Sequence, residues 1–223
     1  MQMNYENRTT PSLGRNRNQF IKWSGLGGVV GSVLFVVAFT VAGFLRPGYS
    51  PINQAISDLG IGPMSWLLNV PLVLLGLLLV VIAIGFSQHM RRMISQGWRW
   101  ACGILLASTG LGYATAGIFP ETNPIHWMVG QPLFAIGSVF GSLLTGLQLL
   151  RHRRWHSYGV YSLLTGAIAL ILIVLMNLTL NPSSPWAALH VGGLAERVAF
   201  LDVLAWYAVI GWRLFRTRID IDQ

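Results

Sequence analysis

Six stretches of this chain are long and apolar enough to cross a lipid bilayer: residues 23–45, 66–86, 98–118, 127–150, 158–180 and 191–215. A spanning helix needs about 20 mostly apolar residues, whereas a barrel strand needs about 9 to 11 with alternating polarity, so the runs predict an all-α bundle. Six spans use most of the 223 residues. They leave a polar basic tail at 1–22, one transmembrane domain at 23–215 and a short tail at 216–223, without room for a separate soluble domain. Composition agrees: 53% of the residues are hydrophobic and 10% charged, against about 25% charged in a soluble domain.

Polar residues set the expected orientation. Thirteen of the fifteen lysines and arginines fall on one side, from Arg8, Arg15, Arg17 and Lys22 through Arg91, Arg92, Arg99, Arg151, Arg153 and Arg154 to Arg213, Arg216 and Arg218. By the positive-inside rule both termini are cytoplasmic, and the localisation is a plasma (inner) membrane. The net charge of +8 then reports topology and attraction to anionic lipid, and nucleic-acid binding is excluded as its explanation. Eight of the nine tryptophans sit at or near span ends, as interfacial anchors do; Trp206 alone lies well inside one. The N-terminal tail lacks the pattern of a cleaved signal, so the first span is expected to be a retained anchor. Cys102 is the single cysteine, which excludes an intramolecular disulfide and a cysteine-based zinc site. The triplets Asn7-Arg8-Thr9 and Asn177-Leu178-Thr179 match the glycosylation pattern but fall in the tail and in a span.

On the other side a unit recurs. Segments 42–60, 116–130 and 181–197 each run from an apolar helix through a short polar loop to a titratable residue beside the next span, which places Asp58, His126 and His190 equivalently. The six helices are read as three hairpins that bring these residues to one membrane face. That face and its adjoining membrane also hold Arg46, Glu121, Glu196, Arg197 and Asp202. Ionisable groups in lipid are costly and turn inward to find partners. An ion-pair lattice is the structural expectation, with Arg197 answering Asp58 or Glu121. At 100° per residue His190 and Arg197 share a face of the last helix. Gly27 with Gly31, and Gly137 with Gly141, have the four-residue spacing of close helix packing in lipid. Pro71 and Pro132 mark tolerated kinks.

The strings RPGYSPINQAISDLG, GIFPETNPIHW and GLAERVAFLDVLAWY resemble the motifs of the prokaryotic multi-pass membrane family catalogued as domain of unknown function 998. The resemblance covers the chain from about Gly25 to Arg213. It implies a six-helix membrane protein of bacterial or archaeal type and carries over no catalytic residue.

Functional readings therefore rest on the residues. The leading one is a non-enzymatic protein that binds a lipid, a small ligand or another membrane protein, including a second copy of itself. Its outward pocket would be built by Ser57, Asp58, His126, His190, Glu196, Arg197 and Asp202. The alternative is a metal-dependent hydrolase at the outer leaflet: two imidazoles and a carboxylate, His126, His190 and Asp58, form the ligand set of open catalytic zinc and non-haem iron sites. Glu196 or Glu121 would then be the general base toward a metal-bound water. A further alternative is a haem-binding electron carrier with His126 and His190 as axial ligands and His89 with His156 as an inner pair. A proton-coupled carrier would use Asp202 and Asn177, the deep polar groups. Phosphate-binding loops, dinucleotide fingerprints and a hydrolase nucleophile elbow are all missing from the sequence.

Overall fold

The computed structural model describes residues 11–217. The remaining parts of the two tails, including the Asn7-Arg8-Thr9 triplet, Arg8 and Arg218, lie outside the described residues. Among the described residues, six helices long and apolar enough to cross a membrane make up the fold. They are α1 (Pro11–Leu45), α2 (Trp66–His89), α3 (Gln96–Ile118), α4 (His126–Leu149), α5 (His156–Leu180) and α6 (Gly192–Arg216). Helix α1 opens at Pro11 rather than at Trp23. Proline is well suited to a first turn, where its missing N–H costs nothing, and Ile21 is already core.

Each helix packs on the next in chain order, and α6 returns to α1, so the bundle is a closed ring. Small residues set the spacing. Gly76 and Gly110 face each other across α2 and α3, and an added Cβ on either would stand 2.5 Å from the other's carbonyl oxygen. Gly25 and Gly211 do the same for α1 and α6. The predicted pairs also pack: Gly27 and Gly31 receive Leu78, while Gly137 and Gly141 lie against Thr109 and Leu106. Without a hydrophobic driving force between helices in lipid, such close backbone approach supplies the dispersion contact that holds them. Large apolar side chains such as Val33, Leu34, Ile104 and Ile171 remain exposed on the ring's outer wall, as a lipid-facing surface requires.

Helix α4 is not regular. It contains π-helical turns at His126–Gly130 and Gly137–Gly141. In the first, the Gln131 N–H donates to the carbonyl oxygen of His126, five residues back, just before Pro132, which has no N–H to give. The expected irregularity at Pro132 thus takes the form of a wide turn. Of the tryptophans assigned to the interface, Trp155 departs: it is 3% exposed and packs on Phe86, His89 and Tyr158. Trp206 is core, and its Nε1–H donates to Ser162 Oγ at 2.9 Å, which satisfies a buried donor.

Candidate functional site: a cavity beneath an inward-folded loop

The end of the bundle that carries the recurring loops is closed by residues 46–65. This connection does not stand clear of the helices: Ala55, Ile56 and Leu59 are buried in the core, Ile56 to 1% exposure. Burying a loop requires partners for its backbone polar groups. Charged side chains supply them. Arg197 on α6 donates to the carbonyl oxygens of Gln54 (3.1 Å) and Gly193 (2.9 Å), and its other terminal nitrogen donates to the Tyr49 hydroxyl. Tyr49 in turn donates to the carbonyl of Ala55 at 2.6 Å, and the Arg197 guanidinium lies 5.4 Å from the Tyr49 ring centroid. Glu196, the neighbouring residue, accepts the N–H of Ile56, and Leu194 donates its N–H to the Ile52 carbonyl at 3.0 Å. Arg46 donates to the carbonyls of Asp58 and Ile61, and Asp58 accepts the N–H of Ala55 at 2.9 Å.

Arg197 does not pair with Asp58 or Glu121, as the charges alone led us to expect. The inward-folded loop supplies a reason: its backbone groups compete for the guanidinium and the carboxylates, and buried backbone left unpaired is costly. Glu121, in the loop after α3, has its carboxyl close to that of Asp58 and to the Ser57 hydroxyl. Its carboxyl is pushed up to about 7, first by burial and then by the Asp58 carboxyl beside it, with Arg46 and Ser57 opposing. Burial likewise raises the Tyr49 hydroxyl, and Arg197 works against that shift.

Beneath this loop lies a cavity of about 50 Å³, lined by Ser57, Tyr113, His126, Gln131, Glu196 and Phe200 among others. That volume holds a few water molecules or one small polar group. Its polar members are deeply set: Glu196 is 5% exposed and His126 9%. His126 Nδ1 lies 2.9 Å from the Phe119 carbonyl oxygen. A carbonyl only accepts, so the neutral ring carries its proton on Nδ1 and leaves Nε2 as the acceptor. The Tyr113 hydroxyl is buried and, among the described residues, has no hydrogen-bond partner. The ring is fixed by an aromatic cluster, with centroids 5.1 Å from Phe134, 5.3 Å from Phe200 and 6.0 Å from Phe35. At the rim, Trp127 is exposed, and Gln131 on α4 donates to Asn177 Oδ1 on α5 at 2.7 Å. The cavity therefore approaches the outer wall between these two helices.

The predicted site residues divide accordingly. Ser57, His126 and Glu196 line one cavity. Asp58 and Arg197 brace the loop above it, and Glu121 lies beside Asp58. His190 is not brought to them: it is exposed and holds a left-handed backbone with φ 51° just before α6. Its position ahead of Gly192 also removes it from the helical face it was expected to share with Arg197. Asp202 lies farther down α6, outside the cavity lining, with Oδ2 buried and unpartnered. Among the described residues no group of three His, Cys, Asp or Glu side chains is placed to hold a metal ion, so Asp58, His126 and His190 do not meet as a ligand set. The inner histidines are also apart in character, His89 packed on the Trp155 ring and His156 exposed at the start of α5.

Two tyrosines were missed by reading titratable residues first. Tyr49 sits three residues after Arg46, and Tyr113 lies in the small-residue run GLGYATAG, where a hydroxyl has few side chains to meet. No curated protein and no solved structure matches the chain. A family described as protein of unknown function (DUF998) matches residues 29–213. This span includes the inward-folded loop, the cavity and most of the apolar length of the six helices, and the chain belongs to that family.

Proposed function

We propose that this chain is a non-enzymatic multi-pass membrane protein that recognises the polar end of an amphipathic molecule in the cavity beneath the 46–65 loop. The observation that carries the reading is a cavity lined by Glu196, His126 and Tyr113, the last with a hydroxyl that is buried and, among the described residues, without a partner. An unsatisfied buried donor costs about 1–3 kcal/mol, and a ligand acceptor removes that cost. Among the described residues lining the cavity there is no lysine or arginine. Its donors and acceptors suit a hydroxyl- or amine-bearing head group rather than a phosphate. The volume admits only that head, and a tail would lie along the apolar wall between α4 and α5, where Met176 and Leu180 continue the lining.

In this reading the helices work as three hairpins in a prokaryotic inner membrane, with both termini cytoplasmic and the cavity on the outward side. The gathering of basic residues at the opposite end supports that orientation. Partners are membrane lipids and another membrane protein, a second copy included. A metal-dependent hydrolase is a second reading, favoured by one observation: a carbonyl holds Nδ1 of His126, as it does in many metal-ligating imidazoles. Glu196, on the same cavity, would be its base.

The test is native mass spectrometry with lipid analysis and elemental analysis on protein purified in mild detergent. The wild type is expected to carry a hydroxyl- or amine-headed amphipath that an Ala116→Leu variant, which fills the cavity, loses. Equal lipid content in both proteins would overturn the binding reading. Near-stoichiometric zinc, iron or manganese that disappears in His126→Ala would move the hydrolase ahead of it.

A further inference from the structure

The other end of the bundle holds a larger cavity of about 550 Å³. Six arginines from four parts of the chain line it: Arg17 on α1, Arg91 and Arg92 after α2, Arg154 before α5, and Arg213 and Arg216 at the end of α6. Among the described residues that line it there is no aspartate or glutamate. The positive-inside rule accounts for many basic residues at this end, but not for their convergence on one volume. Arg99, Arg151 and Arg153 satisfy the same rule and lie outside the lining.

The cavity also has a built interior. The buried Trp155 is part of its lining, and the Arg213 guanidinium lies over that ring at 5.2 Å and over Tyr158 at 5.5 Å. Stacking occupies the face of the guanidinium and leaves its in-plane donors free for a bidentate acceptor. Its Nε is buried and, among the described residues, has no partner. Gln88 and Asn18 add amide groups to the wall. Like charges crowded into one partly enclosed space repel each other, and an anion entering it turns that repulsion into attraction. The volume lies within the about 300–1,000 Å³ of ordinary ligand sites.

We propose that this basic cavity is a binding site for a phosphate-bearing anion, held by charge-assisted hydrogen bonds from Arg17, Arg154, Arg213 and the arginines around them. Arginine's planar fork matches phosphate oxygens in pairs. The anion has two available sources, the head group of an anionic phospholipid and a soluble phosphate compound, and both present the same oxygens. The site is independent of the outer cavity.

The experiment uses the full chain in a zwitterionic detergent and follows thermal unfolding during titration with inorganic phosphate and, separately, with phosphatidylglycerol. Chloride at matched ionic strength and phosphatidylcholine are the controls. Two double variants remove the same charge: Arg17→Gln with Arg154→Gln inside the cavity, and Arg151→Gln with Arg153→Gln outside it. Saturable stabilisation is expected, weakened on the order of tenfold by the inner pair and by less than about twofold by the outer pair. A response to inorganic phosphate identifies a soluble anion, and a response confined to phosphatidylglycerol identifies a lipid head group. If the inner double variant does not fold, Arg92→Gln, an exposed position, is read in the same titration and is expected to weaken binding. No saturable response to either probe, or equal weakening by inner and outer changes, overturns the proposal.

Discussion

Arg197 and Gln54 are 143 residues apart in the chain, yet the guanidinium of one donates to the carbonyl oxygen of the other at 3.1 Å. The contact joins the last helix to the first connecting loop, and with Glu196 on Ile56 it fastens that loop from α6. What closes this end of the ring is therefore a set of bonds from side-chain charges to backbone. The loop held there contributes Ser57 to the cavity lining.

Removing the guanidinium should loosen this end of the bundle. Arg197→Ala is expected to destabilise the protein by about 2–3 kcal/mol, since bonds to a charged donor are the strong ones and the partly buried Gln54 carbonyl loses its donor. Glu121→Ala should cost less, because Glu121 is only half-buried and sits at the loop's edge. Thermal unfolding in detergent measures both, and equal negligible effects would show that the loop is not held from α6.

Glu196 separates acceptor from charge. Glu196→Gln keeps a carbonyl oxygen for the Ile56 N–H and should change stability by less than about 1 kcal/mol, whereas Glu196→Ala leaves that donor unsatisfied at a cost of about 1–3 kcal/mol. If the two variants melt alike, the bond to Ile56 is not the stabilising contact.

Acidity should favour the fold through Glu121. Its carboxyl is raised from 4.5 to about 7 in the folded chain, so the folded state binds more protons than the unfolded state between those values. The stabilising contribution is complete below about pH 4.5 and is lost as pH rises through about 7. Melting temperature followed from pH 5 to 8 should fall more steeply in the wild type than in Glu121→Gln; parallel profiles would assign the pH dependence elsewhere.

Gly193 is where the α6 backbone lies closest against Gln54, and a Cβ there would collide with the backbone of that residue. Gly193→Ala should push the loop outward and destabilise by about 1–3 kcal/mol, as overpacking does. Gly97, with open space around its Cβ direction, is the control. A harmless Gly193→Ala in the same unfolding assay would mean the loop can retreat freely.

Tyr113→Phe is expected to raise stability by about 1 kcal/mol in ligand-free protein, because it deletes a buried hydroxyl that has no partner. The same change should weaken retention of a co-purifying amphipath. A loss of stability would show that the hydroxyl is already satisfied.

Much of this protein was legible without coordinates, and the reason is the solvent. A bilayer demands about 20 apolar residues per crossing, so α2, α3 and α5 could be bounded from hydropathy to within a few residues, and Trp23, Trp66 and Trp212 stood out as exposed belt residues. Polar residues at one end, Glu196 and His126 among them, could be singled out because charge in lipid needs an explanation. What each one touches was not legible. His190 was grouped with Arg197 by helical periodicity, but the helix begins two residues later, at Gly192. Arg197 was assigned a carboxylate partner, whereas the 46–65 loop folds inward and claims it. Only the tertiary structure decided this, because which polar groups lie without water, and so which must be paired first, depends on how segments far apart in the chain come together.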